Sequence, residues 1–182
     1  MKKADLEHLI RAAAAITGEY ELVIVGSQSI LGSVDTPPNR LLQSNEADIY
    51  PLNNTDLADL IDGSIGEGSI FHEKFQYYAQ GVGPETSVLA NGWKDRLIKL
   101  QNNNTDSKIG YCISASDLAI AKFVAWREKD IDYLKVMAEH HIINRDALIN
   151  LAKDTPLKTI DLDELLLRID IICPEDNALR PY

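Results

Sequence analysis

A mixed α/β protein, strands toward the front of the chain and helices toward the back, is the fold class that the sequence predicts. Three observations carry it: a run of β-formers at 22–25 that stops abruptly at Gly26-Ser27, a second strand-like run at 47–52, and helical periodicity that takes over after Ser116. The 182 residues match one domain of ordinary size, with an α/β core over about 1–115 and C-terminal helices over about 116–173.

Leu6, Leu9, Ile10, Ala13 and Ala14 recur at helical spacing before Gly18, so residues 4–17 read as an amphipathic helix. The strand at 21–25 feeds a tight turn at Gly26-Ser27 and a short helix at 27–31. Gly32, Pro37, Pro38 and Asn39 make 32–45 a long loop, and loops of that length in compact domains are often functional. After the strand at 47–52, Asn54-Thr55-Asp56 offers a cap for a helix at 57–61 that Gly63 ends, and a Gly/Ser-rich turn covers 63–69. Four short strands are expected at 75–79, 87–89, 95–100 and 109–113, the last two joined as a hairpin by the polar turn 102–107. Helices are expected at 117–127, 129–141, 145–153 and 161–172, followed by a polar, loosely held segment at 174–182.

Composition narrows the function classes. A net charge of −10 argues against broad contact with duplex DNA or an anionic membrane, both of which call for clustered Lys and Arg, but it permits a locally basic cleft. Two cysteines, Cys112 and Cys173, lie far apart and make no zinc or disulfide pattern, which fits a reducing cytoplasm. Asp5, Glu7, His8 and Arg11 interrupt what would be a signal-peptide core, so the first helix is expected to belong to the fold. No run reaches the roughly 18 apolar residues of a membrane helix.

Two short constellations can carry chemistry. At Val25-Gly26-Ser27, glycine allows close backbone approach and the serine hydroxyl can donate, which suits a phosphate; such junctions also occur as plain turns. Glu46 and Asp48 sit at i and i+2, so in a strand they share one face and can share a divalent cation; the alternative is a solvated strand face. A Gly-Ser turn after one strand and paired acids on the next is the layout of polymerase-beta type nucleotidyltransferases, which this sequence resembles.

A closer resemblance runs from about 22 to 132. Its blocks are Val-Gly-Ser-Gln-Ser-Ile-Leu-Gly at 25–32, Glu-Ala-Asp-Ile-Tyr-Pro at 46–51, Gly-Trp-Lys-Asp-Arg-Leu at 92–97, and Ser-Asp-Leu-Ala-Ile-Ala-Lys with Arg-Glu-Lys-Asp between 116 and 130. They are similar to a bacterial nucleotidyltransferase-like domain family of unknown function, itself similar to the toxins of abortive-infection systems. The resemblance implies a toxin–antitoxin-like, magnesium-dependent transfer of a nucleotidyl group from a nucleoside triphosphate to an acceptor hydroxyl, such as the end of an RNA. Gly26 and Ser27 would hold the triphosphate and Glu46 and Asp48 the magnesium. Lys122, Arg127 and Lys129 would face phosphate charge, and Asp130 would act as base or metal-organising acid. The sequence departs from the family pattern in three ways: a long interval between Ser27 and Glu46, glutamate as the first acid, and no clear third carboxylate, with Gln80 and Glu85 nearest the expected place. A non-catalytic module that binds a nucleotide or a partner protein is the alternative.

Other features carry two readings each. In one continuous helix over 117–138, Arg127 would fall in the apolar stripe and need a partner or a ligand; alternatively the helix breaks near Glu128 or Arg127 pairs with a core carboxylate. Lys122, Trp126, Lys129 and Tyr133 would share a helix face, either for nucleic acid or simply amphipathic. Trp93 reads as a packing anchor, Lys94 and Arg96 as solvated, and the four histidines as structural, His140 and His141 lying on a helix. The surface of 145–173 either covers the sheet or joins a partner chain.

Overall fold

Leu6, Leu9, Ile10 and Ala13 are fully buried on one stripe of the first helix, α1 (Lys3–Thr17), which Gly18 closes in left-handed backbone at φ 72°. The computed structural model describes residues 1–175, so most of the polar segment expected at 174–182 lies outside the described residues. The apolar run after Gly18 becomes β1 (Glu21–Val25), buried over its last four residues as befits a central strand. A 3-10 turn at Ser27–Ser29 leads into α2 (Ile30–Ser33), and a second such turn, Asn39–Leu41, interrupts the long loop.

β2 (Glu46–Pro51) alternates: Ala47 and Ile49 are fully buried on one face while Glu46 and Asp48 sit half-buried on the other. Next come α3 (Ala58–Ile65), α4 (Ile70–Phe75) and β3 (Tyr78–Gly81), and then a crossing segment that reaches β4 (Ile98–Leu100). The hairpin closes with β5 (Ile109–Cys112). The five strands stand in the order β3-β2-β1-β5-β4. β1 pairs antiparallel with β2 and parallel with β5, β2 pairs parallel with β3, and β4 pairs antiparallel with β5. Because β3 and β4 occupy opposite edges, residues 82–97 must traverse the sheet, and Leu89 and Ala90 are buried on the way.

One face of the sheet is sealed by α1 and α3. Here glycine sets the distance: a Cβ on Gly110 would come within 2.4 Å of Ile10 Cδ1, and one on Gly81 within 1.9 Å of the Ala58 carbonyl oxygen. The rest of the chain is helical: α5 (Ala115–Ala125), α6 (Glu128–Glu139), α7 (Arg145–Lys153) and α8 (Leu162–Ile172). Phe123, Leu134, Leu148 and Leu165 join the sheet residues in one apolar cluster. No helix among the described residues is long and apolar enough to cross a membrane.

Several sequence expectations change. The helix expected to stop at Gly63 runs on to Ile65, absorbing the first three residues of the supposed turn, and α4 fills 70–75, a stretch with no expected element except the strand that was to begin at Phe75. Residues 87–89 form no strand, since the crossing segment lies over the sheet instead of joining it. The expected strand at 95–100 begins as a 3-10 turn, Trp93–Arg96. His140 and His141 follow the end of α6 instead of lying on it, and His141 has φ 53°.

Arg96 is not merely solvated. Its guanidinium grips the fully buried Asp117 through Nε at 3.0 Å and Nη2 at 2.7 Å, and also donates to the Ala90 and Asn91 carbonyls. Asp117 in turn accepts from Ser114 Oγ, the N-cap of α5, so one carboxylate ties the crossing segment to that helix. Asp117→Ala is expected to lower unfolding stability by about 2–3 kcal/mol, less than a wholly buried pair because Arg96 retains access to water. Urea titration reads this as a lower midpoint, and an unchanged midpoint would contradict the tie.

Candidate active site

The site begins with a register. β1 and β2 pair so that Val25 stands opposite Asp48, which brings the residue after Val25 against the Asp48 side chain. Gly26 has φ 66°, and a Cβ built on it would lie 1.8 Å from Asp48 Oδ2. Any other residue would be strained in that backbone conformation, and its Cβ would have to displace the Asp48 carboxylate. The chain then turns into Ser27–Ser29, held by Ser29 Oγ donating to the Gly26 carbonyl at 2.8 Å.

Glu46 and Asp48 share the outward face of β2, two residues apart. Burial first, and then the Glu46 carboxylate beside it, push the Asp48 carboxyl up to about 7, with Lys122 and Lys129 pulling the other way. Two acids that compete for one proton form an oxygen-donor pair a divalent cation would satisfy, so these residues fit such an ion. Tyr78 donates its hydroxyl to Glu46 Oε2 at 3.2 Å, and burial together with that carboxylate pushes the phenol up to about 12. Across the β2–β3 ladder Asp48 stands opposite Gln80. Among the described residues no group of three or more His, Cys, Asp or Glu side chains gathers where a metal could be held.

Facing the acids are cations from α5 and α6. The two are separate helices: Trp126 takes left-handed backbone at φ 50° and ends α5, and Arg127 becomes the N-cap of α6. The break turns Arg127 out of the apolar stripe, leaving its side chain 62% exposed. It also divides the expected Lys122–Trp126–Lys129–Tyr133 face. Lys122 and Tyr133 are buried, Lys129 is exposed, and Trp126 stacks on Phe123 beneath the Arg168 guanidinium.

Asp130, fully buried, organises this wall. It accepts from Lys122 Nζ at 3.0 Å and from Arg127 Nε at 2.6 Å. Burial alone would raise its carboxyl, but the hydrogen bonds from Arg127 and Lys122 overrule that and hold it below the ordinary range. Burial draws the Lys122 ammonium below its ordinary value, with Asp130 opposing. Lys122 Nζ also donates to Ser27 Oγ at 2.9 Å and lies 4.2 Å from the centre of the Tyr133 ring, whose hydroxyl donates to the Ser27 carbonyl at 2.7 Å. The serine turn is thereby bolted to both helices.

Acid pair and cation wall meet in one cavity of about 970 Å³, at the upper end of small-molecule pockets. Gly26, Ser27, Glu46, Asp48, Lys122, Arg127 and Lys129, all singled out in the sequence, line it; Asp130 stands behind the wall. Of the two stand-ins for a third carboxylate, Gln80 lines the cavity, while the Glu85 carboxylate turns back toward Gly83. Sequence reasoning missed Tyr78 and Arg40. Arg40 lines the cavity from the long loop, where it pairs with Glu139 at 3.3 Å. The length of that loop was a signal, but nothing in it pointed to one side chain.

A mixed sheet that carries paired acids beside a Gly-Ser turn, opposed by lysine and arginine on two helices, defines a nucleotidyltransferase-like α/β protein. Residues 4–179 match the family described as nucleotidyltransferase of unknown function (DUF6036), and the chain belongs to that family. No curated protein and no solved structure matches it.

Two predictions rest on this geometry. Gly26→Ala should destabilise the fold by about 2 kcal/mol or more and displace the Asp48 carboxylate. Thermal unfolding checks the first effect, and a fully stable variant would contradict the close approach. The second concerns pH. Below about pH 4 Asp48 holds its proton folded or unfolded, and between about 4 and 7 only the folded chain holds it, so stability declines as pH rises through that window and is level above it. In metal-free buffer at pH 8, Asp48→Asn should therefore be more stable than the wild type by up to about 4 kcal/mol, with the difference vanishing near pH 4. Melting curves across pH read it directly.

Proposed function

We propose that the protein transfers a nucleotidyl group from a nucleoside triphosphate to an acceptor hydroxyl, such as the ribose end of an RNA, with magnesium held by Glu46 and Asp48. The observation that carries this reading is the single cavity in which that acid pair faces Lys122, Arg127 and Lys129. The bound cation would supply Lewis acidity toward the reacting oxygens. Lys122 supports Ser27 Oγ from within and presents its ammonium to the cavity, while Arg127 and Lys129 approach from the rim to meet phosphate oxygens. Asp130 is given neither the base nor the metal-organising part: both its oxygens are engaged by Lys122 and Arg127, and it acts as a positioning residue.

The wider setting belongs to the same proposal. The resemblance to abortive-infection toxins supports a toxin–antitoxin-like role with RNA as acceptor, in the cytoplasm, where the free thiols of Cys112 and Cys173 are at home. A net charge of −10 speaks against duplex DNA as partner. The neutral Gln80 opposite Asp48 favours a second reading, a module that binds nucleotide or a partner protein without turnover.

Incubation with labelled triphosphates, RNA and magnesium separates the two. Transfer should be lost at least about 100-fold in Asp48→Asn and in Lys122→Ala. Equal labelling by wild type and Asp48→Asn would reject the mechanism, and metal-dependent nucleotide binding with no transfer would establish the second reading.

A further inference from the structure

Gln80 occupies the place on the sheet from which a third acid would reach the cavity. It is the register partner of Asp48 on the adjacent parallel strand and it lines the same cavity. Its amide offers an oxygen but no charge. The acidic wall therefore carries two carboxylates, while the opposite wall carries the ammonium and guanidinium groups of Lys122, Arg127 and Lys129. Before any phosphate enters, two divalent ions beside two carboxylates would leave the acidic wall with a net charge of +2, facing fixed cations across a partly desolvated space. One ion leaves it neutral. Asp130 cannot make up the deficit, since its oxygens are already engaged by Lys122 and Arg127 and it lies behind the cavity wall.

Resting on the proposed role of the acid pair, we infer that the protein holds a single divalent cation, with Gln80 setting that number and the α5–α6 cations standing where a second ion would neutralise phosphate. Lys122 is suited to that duty because Asp130 and Ser27 fix its ammonium. Arg127 is fixed likewise through its bidentate approach to Asp130 at 2.6 and 3.4 Å. Fixed side-chain cations need no recruitment from solvent, so the number of ions depends on which residue faces Asp48.

Electron paramagnetic resonance of the protein with Mn2+ and a nonhydrolysable triphosphate analogue tests this. Two ions bridged in one site couple magnetically, whereas one ion gives an uncoupled spectrum. The wild type should give one uncoupled Mn2+ per chain. Gln80→Glu should bind Mn2+ about tenfold more tightly and add a second, coupled ion, while Gln80→Ala should keep one. A coupled spectrum from the wild type overturns this inference and leaves the transferase reading intact. Retention of one uncoupled ion by folded Gln80→Glu removes Gln80 as the determinant and overturns it too. Absence of any bound Mn2+ overturns both. Should Gln80→Glu fail to fold, the wild-type spectrum decides alone.

Discussion

The approach of the Gly26 backbone to the Asp48 carboxylate is the constraint from which the rest of the site follows. It exists because β1 and β2 pair antiparallel with Val25 opposite Asp48, so that a turn leaving one strand must pass the acid on the other. Only a residue with no Cβ can make that pass without displacing the carboxylate, and only a backbone free to adopt φ 66° can then turn Ser27 inward. The fully buried runs of β1 and the alternate residues Ala47 and Ile49 of β2 hold the register, since a slip by one residue would turn Glu46 and Asp48 into the core.

A second constraint, equally local, comes from α6. Asp130 is buried and would be costly there alone, yet with Lys122 and Arg127 around it the charge is neutralised and both its oxygens are engaged. Such a cluster is seldom worth much net stability, because apolar side chains of the same volume could fill the space. What it provides here is placement. The αL residue Trp126 ends α5 one turn after Lys122, and Arg127 restarts the chain as α6, so two cations that one continuous helix would have separated converge on one carboxylate. Tyr133 and Lys122 then fasten the Ser27 turn to the helices, which ties that turn to the cation wall of the cavity.

The sequence was most informative where a local pattern determines the outcome. The apolar run of β1, the Gly-Ser stop and the i, i+2 acids specify their conformations within a few residues, and the structure brings Gly26, Ser27, Glu46 and Asp48 to one cavity. Legibility failed where conformation is set by tertiary contact. Residues 87–89 have β-forming chemistry but cross a sheet whose edges are already taken, so they stay unpaired. Gly63 looks like a helix stop yet sits inside α3, where packing of Ile61 and Ile65 on the sheet outweighs its roughly 1 kcal/mol penalty. The break between α5 and α6 was one of the readings that the sequence offered, near Glu128, but its cause was not legible: a tryptophan with positive φ has no sequence signature, and the Arg168 that covers Trp126 belongs to a helix more than 40 residues away. Arg96 and Asp117 are 21 residues apart, so neither could be seen as the other's partner.

The distribution of charge reconciles an acidic protein with the polyanionic ligand proposed for it. At −10 overall, the surface repels a long nucleic acid, and the field at a distance would slow its approach. Inside the cavity the balance is local: Lys122, Arg127, Lys129 and Arg40 line it beside only Glu46, Asp48 and Asp132 among the acids. Screening confines the outer repulsion to about 8 Å of solution at physiological salt, whereas partial burial keeps the inner attraction strong. A compact polyphosphate that enters the cavity therefore meets positive charge on one wall, and on the other an acid pair that repels it until a cation neutralises them. Under the proposed function the order would be metal with or before phosphate, and it would follow from the same two carboxylates that Gly26 lets stand so close to the chain.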